Sequence, residues 1–182
     1  LEQVSFSGNI KKIGKYAFLN CKKIKTMIIP DTVDEIEEYI LEGCTSLESL
    51  TIPFIGHDLW SIDNNILGYF FGTNNHELQK NYVPQTLKEI KITKEDVIEE
   101  YAFYYCFNIK KITLGKSVSF IGKKAFSCCY LLESLIIEAE TKLRGVDYFA
   151  FENVILKELY YGSNIYDWMK IKFYKTIILD KE

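Results

Sequence analysis

Five cysteines and two histidines carry most of the reactive chemistry in this 182-residue sequence. Cys21, Cys44, Cys106 and Cys129 occupy one recurring position: Cys44 follows Cys21 by 23 residues, and Cys129 follows Cys106 by 23. Stacked coils would bring such thiols to the Cα separation of about 4.4–6.8 Å that a disulfide needs. A disulfide or metal ladder is one reading, and a small buried thiol completing each coil is the other. The spacing follows the repeat rather than a ligand pair, and no Cys-x-x-Cys occurs, which favours buried thiols. Cys128 stands outside the pattern. Next to an inward Cys129, it is expected to face the other way and to react first with a thiol reagent in the native state.

His57 and His76 both fall in one aberrant stretch, beside Asp58 and Glu77. A metal site or an acid–base pair needs convergent ligands or an orienting partner. Two histidines in one loop supply neither and are read as surface residues. No His-Glu-x-x-His, Gly-x-Ser-x-Gly, phosphate-cradling glycine loop or acidic calcium loop is present. Ser61 and Asp63 alone make no triad. The sequence therefore nominates no catalytic residue, no metal ligand and no cofactor, and it does not read as an enzyme.

The elements that must position these side chains come from an internal repeat. The unit is clearest at IKKITLGKSVSFIGKKAFSCC, which sets Ile109, Ile112, Leu114, Val118, Ile121, Phe126 and Cys129 as an inward set. Units start near residues 1, 24, 47, 87, 109, 132 and 156. The unit from 87 is one residue short between its strand and its cysteine, and the unit from 132 is about two residues long. Each opens on an apolar-x-x-apolar-x-apolar segment that alternates as a short strand does. A period near 23 residues fits one leucine-rich coil of strand plus return arm. Such a coil cannot bury its own apolar face, so coils stack at about 4.8 Å and share a continuous core. The expected fold is an α/β-type repeat solenoid with short parallel strands and mostly irregular return arms. DEIEEYILEG could pass for an amphipathic helix, but the same frame elsewhere carries SFIGKKAFSC, where glycine lowers helix propensity. The third unit carries an expected insertion over 54–86, looping out of one coil, and residues 162–182 are expected to cap the stack with Trp168 and Phe173.

Composition narrows the function classes. Nearly half the residues are apolar and the net charge is −3, with both signs scattered. No basic field suits nucleic acid. The longest apolar runs fall far short of the roughly 20 residues that span a bilayer. There is no initiator Met and Leu1 already occupies the first repeat position, so the chain is expected to be a fragment. A strand edge at Leu1 to Phe6 would then be open, and dimers through it would be products of the cut.

The motif Ile-Gly-x-x-Ala-Phe-x-x-Cys appears as IGKYAFLNC and IGKKAFSCC, beside the segments LESLTIP and IKTMIIP. It resembles the BspA-like group of leucine-rich repeat proteins, and LYYGSNIYDWMKIKF is similar to the aromatic close of such arrays. The resemblance covers nearly the whole chain. It implies a surface-exposed or secreted protein of the kind found in gut and oral anaerobes and some protist parasites. It further implies adhesion to host proteins or other cells, and no catalytic residues. The second unit departs from the motif with Glu37-Glu38 and Ile40-Leu41, and the sixth has Val154 where cysteine is expected.

Two surfaces are candidates for binding a protein or glycan. The first is the outward side of the strands: Thr26, Ile28, Ser49, Thr51, Glu89, Lys91, Lys111, Thr113, Ser134, Ile136, Glu158 and Tyr160. Solenoids use such faces for recognition, although a solvated sheet whose Thr and Ile simply suit β pairing has the same composition. This face lacks the aromatic row expected of a sugar-stacking groove. The second is the insertion, where Trp60, Tyr69, Phe70, Phe71 and Tyr82 are interface-forming types, yet most of Ile55, Leu59, Ile62, Ile66, Leu67, Phe70 and Phe71 are expected to pack back on the coils and Trp60 to stay exposed. The leading reading is a binding module of a cell-surface or secreted protein. A structural spacer that presents another domain is the alternative.

Overall fold

Alternating strands of the computed structural model, which describes residue 2, residues 4–61 and residues 63–173, line one side of a solenoid. Six parallel strands form one sheet in chain order: Thr26–Ile28, Ser49–Ile52, Glu89–Ile92, Lys111–Leu114, Ser134–Ile137 and Glu158–Tyr161. Each strand sits in register on the next, with Met27, Leu50, Ile90, Ile112, Leu135 and Leu159 stacked in one inward column. The alternation reads directly from the residues, since Leu50 and Ile52, Ile112 and Leu114, and Leu135 and Ile137 are all buried. Parallel neighbours need a long crossover, and the return arm of each coil provides it.

The return arms hold a second ladder of two-residue strands. Lys12–Ile13 pairs with Glu35–Ile36, and Val97–Ile98, Phe120–Ile121, Gly145–Val146 and Lys172–Phe173 form a separate four-stranded stack. The gap between the two stacks lies where 54–86 intervenes. Gly122 shows how closely the arms approach: a Cβ there would lie 2.8 Å from the Glu100 nitrogen.

The Ala-Phe pair turns the arm back toward the sheet. Phe103 N–H donates to Ala125 O and Phe126 N–H to Ala150 O, at 2.7 and 2.8 Å. The rings of Phe103, Phe126 and Phe151 then stack, with centroids 5.2 and 5.0 Å apart. Two residues before and two after the Phe position, the backbone is left-handed: Tyr101 and Tyr105, Lys124 and Cys128, Phe149 and Asn153 all have φ near +60°. The second coil does the same at Tyr39 (φ 64°) and Gly43 (φ 75°). This recurrence prevents a helix over DEIEEYILEG, because a right-handed helix cannot pass through a left-handed residue.

The 54–86 stretch does not leave the stack as one loop. Its middle, around the 3-10 turn Leu67–Phe70, forms the third return arm. Tyr39 and Leu41 N–H donate to Tyr69 and Phe70 O, and Leu67 N–H donates to Ala102 O. Two excursions flank that arm, one carrying residues 57–61 and 63–65 and the other about 72–82. Ile55, Ile66, Leu67, Phe70 and Phe71 are buried in the core and Leu59 packs against it, while Ile62 lies outside the described residues.

At the ends, residues 4–7 form no strand, and Val4 and Phe6 only partly cover the core. At the other end a short helix, Ile165–Met169, is capped by the Asn164 side chain, which accepts from Asp167 N–H at 3.0 Å. Trp168 packs on the core edge-to-face with Tyr161. The Phe173 side chain and residues 174–182 lie outside what the structure describes.

Candidate functional site

The outward strand residues form two straight rows. One runs Thr26, Ser49, Glu89, Lys111, Ser134, Glu158, and the other Ile28, Thr51, Lys91, Thr113, Ile136, Tyr160, each residue beside its counterpart on the next strand. All twelve point away from the core. Ile28 and Tyr160, at opposite ends of their row, are 60% and 62% exposed and give the face two apolar anchors. Between them Glu89 stands beside Lys111, and Lys91 Nζ reaches Glu138 at 2.6 Å. Exposed ion pairs of this kind add little stability, so these charges remain available to a partner.

The insertion builds the other surface. Trp60 is 88% exposed. Its loop is fixed at the base: Asp58 Oδ1 accepts Trp60 N–H at 2.7 Å, Asp58 Oδ2 meets His57 Nδ1 at 2.7 Å, and His57 Nε2 lies 3.2 Å from Glu35. Ile36 N–H donates to His57 O, which ties the loop to the preceding coil. The His57 hydrogen bond holds the Asp58 carboxyl below its usual pKa range. His57 is thus a half-buried brace rather than a free surface side chain. His76 instead stacks on the Tyr101 ring, with centroids 4.2 Å apart. The two histidines serve different elements. Among the described residues no three His, Cys, Asp or Glu side chains gather as metal ligands would.

A cleft of about 400 Å³ opens beside Trp60, lined by Leu59, Ser61 and Asn65, by Lys94 to Val97 and Glu99 of the next coil, and by Ser117 and Lys142 from the following two coils. Glu95 lines it yet is only 8% exposed. Its carboxylate accepts Ile55 N–H at 2.8 Å, and burial pushes its pKa up to about 7. The residue two before the arm strand is Ile10, Val33, Val118 and Leu143 in four other coils, and the same slot here holds Glu95. The third coil places no strand in the return-arm ladder, and its Ile55 N–H finds an acceptor in the Glu95 side chain of the next coil. Glu99, behind it, is raised by the same desolvation. Sequence reading missed Glu95, although an acidic residue in an apolar slot was the available signal.

Thiols and one amide complete the core. Cys44 Sγ donates to Phe18 O at 3.2 Å and Cys129 Sγ to Phe103 O at 3.0 Å, each reaching the preceding coil's backbone. All five cysteines are free. Burial raises the Cys44 thiol to about 11 and those of Cys106 and Cys129 further. Where the third coil has no cysteine, fully buried Gln79 accepts Gly68 N–H and donates to Tyr101 O and Tyr104 O. Cys128 stays outside the apolar cluster and meets Ser127 and Asn153. It is nonetheless 95% enclosed, whereas Cys21 in the end coil is half-buried. Exposure therefore places Cys21, not Cys128, first for a thiol reagent.

The family model described as BspA type Leucine rich repeat region matches the chain in six copies, over residues 1–93 and 84–180. No curated protein matches it. Among solved structures it is similar to a leucine rich cell surface protein from Faecalibacterium prausnitzii A2-165. The two are 21% identical with a TM-score of 0.41, over 87% of this chain and 42% of that one. A leucine-rich repeat protein from Bacteroides ovatus ATCC 8483 is 24% identical (TM-score 0.33; 87% and 44%). The leucine rich repeat protein of T. pallidum is 19% identical (TM-score 0.30; 90% and 66%). The chain spans less than half the length of the first two.

Proposed function

From the premise that this chain belongs to the BspA-type leucine-rich repeat family, we propose that it is a non-catalytic binding module of a cell-surface or secreted protein. Through it that protein adheres to a protein on a host or neighbouring cell. The observation that carries this reading is the outward sheet face, with two unbroken rows of six residues held in register by six parallel strands. Such a surface is rigid before binding, so little ordering entropy opposes association. Its mixture of hydroxyls, paired charges and two apolar anchors suits a protein surface, where affinity sums many modest contacts. The main sheet lacks the row of aromatics that would favour an extended glycan there.

Immobilised extracellular-matrix proteins provide the test. A ligand found among them should bind Lys111→Ala, Thr113→Ala and Tyr160→Ala variants at least tenfold more weakly, with melting temperatures unchanged. Binding that survives all three substitutions refutes the sheet-face assignment. A chain that binds none of these proteins would instead fit spacer repeats that present another domain.

A further inference from the structure

We infer that the cleft beside Trp60 is a binding site for a neutral saccharide, distinct from the sheet face. One wall is the indole of Trp60, which presents a flat apolar face to solvent. A pyranose offers a matching C–H face, and aromatic side chains with one apolar body and one polar edge suit such a mixed surface. The rest of the lining includes Glu95, Asp96 and Glu99 as acceptors, Lys142, and Lys94, whose Nζ also donates to Asp31 O at 2.8 Å. An anionic ligand would meet three carboxyl groups, and a cationic one two ammonium groups. A neutral polyhydroxyl ligand meets donors and acceptors together without like-charge repulsion.

Size and rigidity agree with that occupant. The volume of about 400 Å³ lies in the range of small-molecule pockets. The lining residues come from four successive coils, at Trp60, Lys94 to Glu99, Ser117 and Lys142. With coils spaced at about 4.8 Å, the cleft runs along the solenoid axis for the length of two or three sugar rings. The loop carrying Trp60 is pinned by Asp58, by His57 to the preceding coil, and by Asn65 Nδ2 donating to Ser61 O at 2.5 Å. Glu95, nine-tenths buried, is fixed by Ile55 N–H. Both walls are therefore set before a ligand arrives.

This inference uses none of the sheet-face residues, so the two readings fail separately. The chain has two tryptophans, and Trp168 packs on the core, so acrylamide quenching reports mainly on Trp60. Cellobiose, maltose and lactose are the neutral probes, with 3′-sialyllactose and glucosamine as charged controls. At about 10 mM, within the weak range of affinities, at least one neutral disaccharide should protect Trp60 from quenching. Trp60→Ala should weaken binding of that sugar at least tenfold by calorimetry without shifting the melting temperature, while Lys111→Ala leaves it intact. Failure of every neutral probe to protect Trp60 would overturn the inference. So would binding retained by Trp60→Ala, loss of sugar binding in Lys111→Ala, or stronger binding of a charged control.

Discussion

Replacing Glu95 with Gln should make the protein less sensitive to rising pH. The carboxyl is 8% exposed and occupies a slot that holds Val33, Val118 and Leu143 in other coils. Burial raises its pKa from 4.5 to about 7. Below about pH 4.5 both the folded and the unfolded chain hold the proton, and the group costs nothing. Between 4.5 and 7 the unfolded chain releases the proton while the folded chain keeps it, so stability falls as pH rises. At about 1.4 kcal/mol for each pH unit between those two values, the full loss is about 3 kcal/mol, reached just above pH 7. Gln keeps an acceptor for Ile55 N–H and never ionises. Urea unfolding of both proteins at pH 5, 6, 7 and 8 measures the effect. The stability of Glu95→Gln relative to the parent should grow by about 2–3 kcal/mol over that range, since part of the loss has already occurred at pH 5. A constant offset from lost or altered hydrogen bonds does not affect this difference. A gap that stays level within about 0.5 kcal/mol would refute the reasoning. Asp34, Glu37 and Asp58 are held low by Lys11, Lys12 and His57, so their contribution is lost only at more acidic pH and does not enter this window.

Further outcomes follow from the packing. Phe126→Ala removes the middle ring of the Phe103, Phe126, Phe151 stack and should cost about 3–5 kcal/mol in urea unfolding; a loss under about 1 kcal/mol would mean the ring is not inward. Gly122→Ala puts a Cβ 2.8 Å from the Glu100 nitrogen and should cost about 1–3 kcal/mol, read as a lower melting temperature. Thiol labelling followed by mass spectrometry should modify Cys21 first and Cys128 before Cys129. Equal rates at Cys128 and Cys129 in the folded protein would contradict the placement of Cys129 in the apolar cluster.

The two halves of each coil differ in how much the residues alone dictate. The column Leu50, Ile90, Ile112, Leu135 was legible because strand alternation and a fixed period leave one consistent inward set. The outward rows follow from the same arithmetic, while the family was legible as a resemblance in the motif Ile-Gly-x-x-Ala-Phe-x-x-Cys. The cysteine position was legible as buried thiol because its spacing matched the repeat rather than a ligand pair. Tertiary structure decided what happens where the period fails. The third coil closes through Leu67–Phe70 rather than looping away, because Tyr39, Leu41 and Ala102 offer backbone groups that only a return arm can pair. That choice leaves Ile55 N–H for Glu95, sets Gln79 in the place of a thiol, and braces His57 against Glu35. Each is a long-range demand for a hydrogen-bond partner, created only when distant coils meet. Local pattern therefore specifies the regular coils, and backbone satisfaction between coils specifies the irregular one, where the Trp60 cleft lies.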